Sequence, residues 1–220
     1  MNFLFNEKSA IEKLISMKNV AVIGYGGQGA WHCDQILKSD VCTLKGTYDI
    51  REIRNDAAKE KGIFVYDSNE AIFADKDVDI IVVATPNDVH EALVVNGLES
   101  GHNVICEKPV AFTLEEVDAL EQATAKTGAK FGGMMGMRFE SHFHTALKMI
   151  NDNLIGDIQL IYTRKSYVYG TRPDFYNSRA TYGGTIPWVG SHAIDLIQHC
   201  NAGDFASVRA WHCHRDNNAE

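Results

Sequence analysis

The 220-residue sequence predicts an α/β chain: a doubly wound parallel sheet over residues 1–137, then a partial α+β domain over 138–220 with an open, mainly antiparallel sheet. Three observations carry this expectation. Apolar runs alternate with helical stretches through the first part, the pattern of repeated βαβ units. Residues 79–84 (DIIVVA) are apolar without alternation, as in a central parallel strand covered on both faces. After Arg138 the alternation stops and gives way to a helix, a long strand-like run and a loop rich in Gly and Tyr.

The elements follow in order. Residues 7–17 read as a leading helix. Residues 19–23 (NVAVI) are a buried strand that ends at a glycine cluster, and 27–38 a helix. A second strand (41–49), a charged helix (51–61), a short third strand (63–66) and a helical turn (69–74) come next. The fourth strand, 79–84, is followed by a helix over 88–99 and a fifth strand over 103–106. Thr113 and Glu116 form a Thr-x-x-Glu capping box that opens a helix to residue 127. Residues 130–135 make a sixth strand. In the second part a helix (141–153) and Gly156 precede a long strand (157–169). A loop (170–184), an apolar helix (186–199) and a further strand (206–213) complete it.

Composition narrows the function. Hydrophobic residues make up 45% and charged residues 23% of the chain, ordinary values for a globular protein. The net charge of −8 falls entirely in residues 1–137 (13 Lys/Arg against 21 Asp/Glu), while 138–220 hold 8 of each. No basic stripe is present to neutralise phosphates, so no nucleic-acid partner is expected. The N-terminus lacks a signal-peptide pattern and no run approaches the length of a membrane helix. Five cysteines without a CxxC pair fit a reducing, cytoplasmic setting. His212, Cys213 and His214 alternate faces on a strand, so no metal site is expected from them.

The glycine cluster is Gly24-Tyr25-Gly26-Gly27-Gln28-Gly29, between a strand and a helix, which is the setting a dinucleotide-binding turn requires. Gly24 permits the tight turn, Gly26 lets backbone approach a pyrophosphate, and Gly29 lets helix and strand pack closely. The helix N-terminus supplies N–H groups and positive dipole. Asp49 lies 20 residues past Gly29, at the place of the acid that accepts hydrogen bonds from the adenosine ribose. A carboxylate there repels a 2′-phosphate and favours NAD; Arg51 and Arg54 keep NADP as the alternative.

Two further segments stand at the carboxyl ends of strands four and five: Ala84-Thr85-Pro86-Asn87-Asp88-Val89-His90 and Cys106-Glu107-Lys108-Pro109. With the glycine turn, Arg138 and the segment Gly183-Gly184-Thr185-Ile186-Pro187-Trp188-Val189-Gly190-Ser191-His192-Ala193-Ile194-Asp195, they resemble the Gfo/Idh/MocA family of glucose–fructose oxidoreductase and inositol dehydrogenase relatives. The resemblance runs over essentially the whole chain. It implies an NAD(P)-dependent oxidoreductase acting on a sugar, polyol or sugar derivative, with Lys108 as the catalytic lysine and His192 as the acid/base histidine. Thr85, Pro86, Asn87, His90, Glu107, Lys108 and Arg138 would line the cofactor. Trp188, His192 and Asp195 would face the substrate beside Lys108.

The chemistry agrees with those roles. Hydride loss from a carbinol carbon requires removal of the hydroxyl proton, which an imidazole suits at neutral pH. A lysine ammonium stabilises the developing alkoxide, or relays the proton itself where burial lowers its pKa. One departure stands out. Many relatives carry an aspartate four residues before this histidine, and here that position is Trp188, which cannot relay a proton but can stack on a ring. Tyr167, Tyr169, Arg172 and Tyr176 are either substrate contacts or sheet packing. Relatives are usually longer, so an incomplete second sheet is expected, finished by another copy in a homo-oligomer or missing through truncation. Two other readings stay open: a non-catalytic NAD(P) sensor or partner subunit, and glycoside or sugar-nucleotide chemistry in which the hydride is borrowed and returned.

Overall fold

The computed structural model describes residues 17–166, 168, 170–201 and 203–211. All of the expected 7–17 helix except Met17 lies outside them. The chain forms two compact units. One holds the described residues through Thr85, with Val89–Glu107 and Thr113–Gly132; the other holds Pro86–Asp88, Lys108–Phe112 and the described residues from Gly133 onward.

In the first unit, β1 (Lys18–Ile23), α1 (Gly27–Ile36), β2 (Cys42–Tyr48), α2 (Glu52–Glu60), α3 (Asn69–Ala74) and β3 (Ile80–Val83) are followed by α4 (His90–Glu99), β4 (Asn103–Cys106) and α5 (Leu114–Thr127). The sheet order is β2-β1-β3-β4-β5, the last being β5 (Phe131–Gly133), which belongs to the first unit through Gly132. The β1–β2, β1–β3 and β3–β4 pairs are parallel. This is the Rossmann-type arrangement, and its topological switch lies at the carboxyl ends of β1 and β3, where such sheets bind ligands.

The core explains why these segments are strands. Val20–Ile23 and Ile81–Val83 are buried, together with Val104 and Cys106. Burying one such Val or Ile side chain contributes about 1.5–3 kcal/mol. Register at the opposite end is set by Asp79, whose carboxylate accepts from Lys18 Nζ at 3.2 Å and from the Asn19 N–H at 2.9 Å. The Asn19 N–H holds the Asp79 carboxyl below the usual range, with Lys18 adding to the effect. Thr113 and Glu116 form both hydrogen bonds of the capping box.

One strand is shorter than expected. The third, at 63–66, is reduced to a single parallel bridge, Thr47 with Val65, made by Thr47 N–H to Phe64 O and Tyr66 N–H to Thr47 O, each 2.9 Å. The segment has no room for more. Gly62 turns the chain out of α2 at φ +74°, and Ser68 already caps α3 through the Ala71 N–H. Expected strand six is likewise trimmed to three residues.

The second unit holds α6 (Ser141–Asn151), the short α7 (Arg179–Tyr182), a π-helical turn (Ile186–Gly190) and α8 (Ser191–Asn201). The apolar helix expected over 186–199 is therefore a widened turn running into an α-helix. The expected strands 157–169 and 206–213 are not formed among the described residues, and 212–213 lie outside them. The reason is visible in their side chains. Leu160, Tyr162, Val168, Val208 and Trp211 are all more than three-quarters exposed, and among the described residues of these runs no ladder forms. Among the described residues no helix is long and apolar enough to cross a membrane, and no cluster of His, Cys, Asp and Glu could hold a metal.

Candidate functional site

The glycine turn is a place of close backbone approach. Gly24 adopts φ +92°, and a Cβ there would meet the Ala84 carbonyl oxygen at 2.6 Å. A Cβ on Gly29 would lie 1.9 Å from the Gly24 carbonyl oxygen. At Gly26 a Cβ would meet nothing within 4 Å, so the space above the turn is open. Gly26 also caps α1 without any side-chain hydrogen bond, and the first N–H groups of a helix have no partner within it. Thr85 Oγ1, at the end of β3, is buried with no partner among the described residues. Such features fit a bound pyrophosphate and nicotinamide moiety.

Asp49 is buried just past β2. Its carboxylate accepts from the Tyr25 N–H at 2.8 Å, the Arg51 N–H at 3.0 Å and Arg51 Nε at 3.3 Å. The Asp49 N–H donates to Asn55 Oδ1, and Asn55 Nδ2 donates to the Asp49 carbonyl. Asp49 thus braces the turn. Tyr25 contributes through its backbone, since its ring packs in the core with Val20, Val22 and Cys33. Burial pushes the Cys33 thiol up to about 12 and Cys106 well above its usual value, so both behave as core residues.

Two other expected cofactor residues, His90 and Glu107, are held by side-chain hydrogen bonds. His90 is completely buried and its Nε2 donates to the Thr85 carbonyl at 3.0 Å, so it supports the β3 exit through Thr85. Glu107, at the end of β4, is gripped from α1. His32 Nε2 donates to Glu107 Oε1 at 2.9 Å and Gln28 Nε2 reaches the same oxygen at 3.4 Å. The sequence reading missed His32. A signal existed: His32 stands three residues past Gly29, hence on the helix face that must pack against the sheet. His32→Leu would leave the buried Glu107 one donor short, at a cost of about 1–3 kcal/mol. We expect a Tm loss of about 2–4 °C per kcal/mol, with partial recovery in His32→Gln. An unchanged melt in His32→Leu would show that the pair contributes nothing.

In the second unit, Asn87 is buried and its Nδ2 donates to the Tyr182 carbonyl at 3.1 Å, while Pro86 is exposed. The Lys108–Pro109 bond is cis. Lys108 Nζ donates to the Trp188 carbonyl at 3.0 Å and sits 4.2 Å from the centre of the Trp188 ring. Trp188 packs edge-on against Tyr176 (5.0 Å between ring centres) and Phe175 (6.0 Å). Arg138, expected at the cofactor, forms a bidentate pair with Asp195, expected at the substrate: Nε lies 2.9 Å from Oδ2, and Nη2 bonds Oδ1. Asp195 drives the Arg138 pKa upward, so this guanidinium stays charged. The pair ties the turn at Gly136–Phe139 to α8, which carries half-buried His192 as its second residue. Of the four second-domain candidates, Tyr176 packs on Trp188, Arg172 lies over Tyr176, and Tyr167 and Tyr169 fall outside the described residues.

Residues 18–160 match the family model described as oxidoreductase family, NAD-binding Rossmann fold, and 143–220 match the Gfo/Idh/MocA C-terminal domain. The chain belongs to the Gfo/Idh/MocA oxidoreductase family. It is 34% identical over 141 residues to inositol 2-dehydrogenase of Rhizobium meliloti, covering 64% of this chain and 42% of the relative. It is 28% identical over 185 residues to 2,7-anhydro-N-acetylneuraminate hydratase of Escherichia coli, covering 83% and 49%. GenD2 from gentamicin A biosynthesis, solved in complex with NAD, matches with a TM-score of 0.74 at 25% identity over 84% of this chain and 53% of that one. The chain spans about half the length of the curated relatives it matches. The first of the two matched domains is the one described as NAD-binding.

Proposed function

We propose that the chain is an NAD-dependent oxidoreductase that moves a hydride between nicotinamide and the carbinol or carbonyl carbon of a sugar, polyol or sugar derivative. The observation that carries this reading is the held ammonium of Lys108, a fixed positive charge on the residue that directly follows Glu107. NAD, when bound, accepts the hydride. Lys108 stabilises the alkoxide that develops as the carbinol C–H bond breaks. His192 takes the hydroxyl proton, since the indole of Trp188 is a donor only and has no basic atom to accept it. The glycine turn, Asp49, Thr85, Asn87 and Glu107 hold and orient the dinucleotide. The name of the Rhizobium meliloti relative supports a polyol substrate.

Cofactor choice follows from Asp49. Its buried carboxylate disfavours a 2′-phosphate, and Arg51 Nε is already engaged with it. NAD should bind at least about tenfold more tightly than NADP, since like charges brought together cost several kcal/mol. Titration of tryptophan emission with each dinucleotide measures this, and equal affinity would remove the role given to Asp49.

The same reading makes the chain a cytoplasmic homo-oligomer. Its exposed runs around Leu160 and Val208 pair there as an open antiparallel sheet between copies, which their apolar exposure supports. A second reading is favoured by the hydratase relative: hydride borrowed and returned, with no net redox. Incubation with NAD and a panel of polyols and sugars, following NADH absorbance and product together, decides between them. Net NADH supports the oxidoreductase. Product without NADH supports the borrowed hydride, and NAD binding without product supports a sensor.

A further inference from the structure

Lys108 and Trp188 are 80 positions apart and meet through two different groups of one residue. We propose that Trp188 is the positioning residue for Lys108, holding its ammonium between the main-chain carbonyl and the indole face. The carbonyl accepts an N–H from Nζ at 3.0 Å, and the ring centre stands 4.2 Å from the same nitrogen. A cation within about 6 Å of an indole face is attracted by the ring quadrupole. Both groups therefore bind the charged amine, and neither can take its proton.

The holder is itself fixed. Tyr176 meets the indole edge-on at 83°, and Phe175 does so at 67°. Tyr176 is backed by Tyr182 at 5.7 Å and by the Arg172 guanidinium at 5.3 Å. The backbone at Trp188 lies inside the π-helical turn, closed by the Ser191 N–H on the Ile186 carbonyl, and the Trp188 N–H bonds the Gly184 carbonyl. Such widened turns displace carbonyls from the regular helical ladder and recur at functional sites. Ring and carbonyl are thus placed by separate frameworks, and both converge on one amine. One face of the indole is taken by Lys108, which removes that face as a stacking platform for substrate.

The consequence for catalysis rests on the oxidoreductase reading: Lys108 works as a fixed charge, and the proton belongs to His192 alone. The hold itself can be measured without substrate. Reductive methylation of the full chain, with Lys108 quantified by peptide mass spectrometry, is compared for wild type, Trp188→Leu and Trp188→Phe, each checked for folding by circular dichroism. In Trp188→Leu the amine should react about three- to tenfold faster. Trp188→Phe keeps a ring face and the carbonyl and should label close to wild type. A leucine variant labelling like wild type, or a phenylalanine variant labelling like leucine, overturns the proposal. Should Trp188→Leu fail to fold, Lys108→Met supplies the second measurement: loss of the cation should change the Trp188 emission, and an unchanged spectrum overturns the proposal equally. Because labelling and emission need no turnover, they remain readable even if the polyol panel yields no NADH.

Discussion

Lys108→Met should lower turnover by about 10²–10³-fold, the loss seen when one charge-stabilising donor is removed from an oxyanion site. The Kd for NAD should stay close to wild type. Methionine keeps most of the apolar stem over the Trp188 ring while deleting the ammonium, so packing is preserved and charge is lost. The dinucleotide cradle would remain, because the glycine turn, Asp49 and the His32–Glu107 pair use no atom of Lys108. Steady-state kinetics on the substrate found in the panel, beside a cofactor titration, reads both quantities. Turnover unchanged in Lys108→Met would end the catalytic assignment of this lysine.

The second large effect is a contrast between neighbouring glycines. Gly29→Ala places a methyl 1.9 Å from the Gly24 carbonyl oxygen and 2.8 Å from its carbon. Both atoms are backbone, so no flexible side chain can move aside. The cost should reach the upper end of the overpacking range, about 3 kcal/mol, with a Tm loss of about 6–12 °C. Gly26→Ala meets nothing within 4 Å, so the free protein should melt like wild type. Its methyl nevertheless enters the space assigned to the pyrophosphate, and NAD affinity should fall at least as far as in Gly29→Ala. Thermal melts with and without NAD separate the two cases. A Gly26→Ala chain that still gains stability on adding NAD would remove the turn from the binding role.

What was legible in the sequence was local. The run DIIVVA shows a strand covered on both faces, the glycines fall between a strand and a helix, and Thr113 with Glu116 announces a helix start. Each of those signals lies within a few residues of chain. The misses have a different character. Residues 63–66 have strand-like side chains, yet the turn at Gly62 and the cap at Ser68 leave space for one bridge. Segments 157–169 and 206–213 have the composition of strands, but a strand is a paired object and composition carries no partner. The pairing of Arg138 with Asp195 spans 57 residues and that of His32 with Glu107 spans 75, beyond the reach of any local sequence signal. Trp188 shows the limit most directly. From sequence it is an aspartate lost, while in the fold its carbonyl and ring face hold the lysine.

The interleaved division of the chain bears on how this protein can be recombined. The polypeptide passes from one unit to the other after Thr85, Asp88, Glu107, Phe112 and Gly132. A chimera joined at a single seam near residue 137 would import Trp188 and His192 from one parent while retaining Lys108 and Asn87 from the other. The lysine and its holder would then come from separate lineages. Exchange of substrate preference between relatives therefore calls for grafting residues 86–88 and 108–112 along with the C-terminal part, a three-piece transplant in place of a single splice.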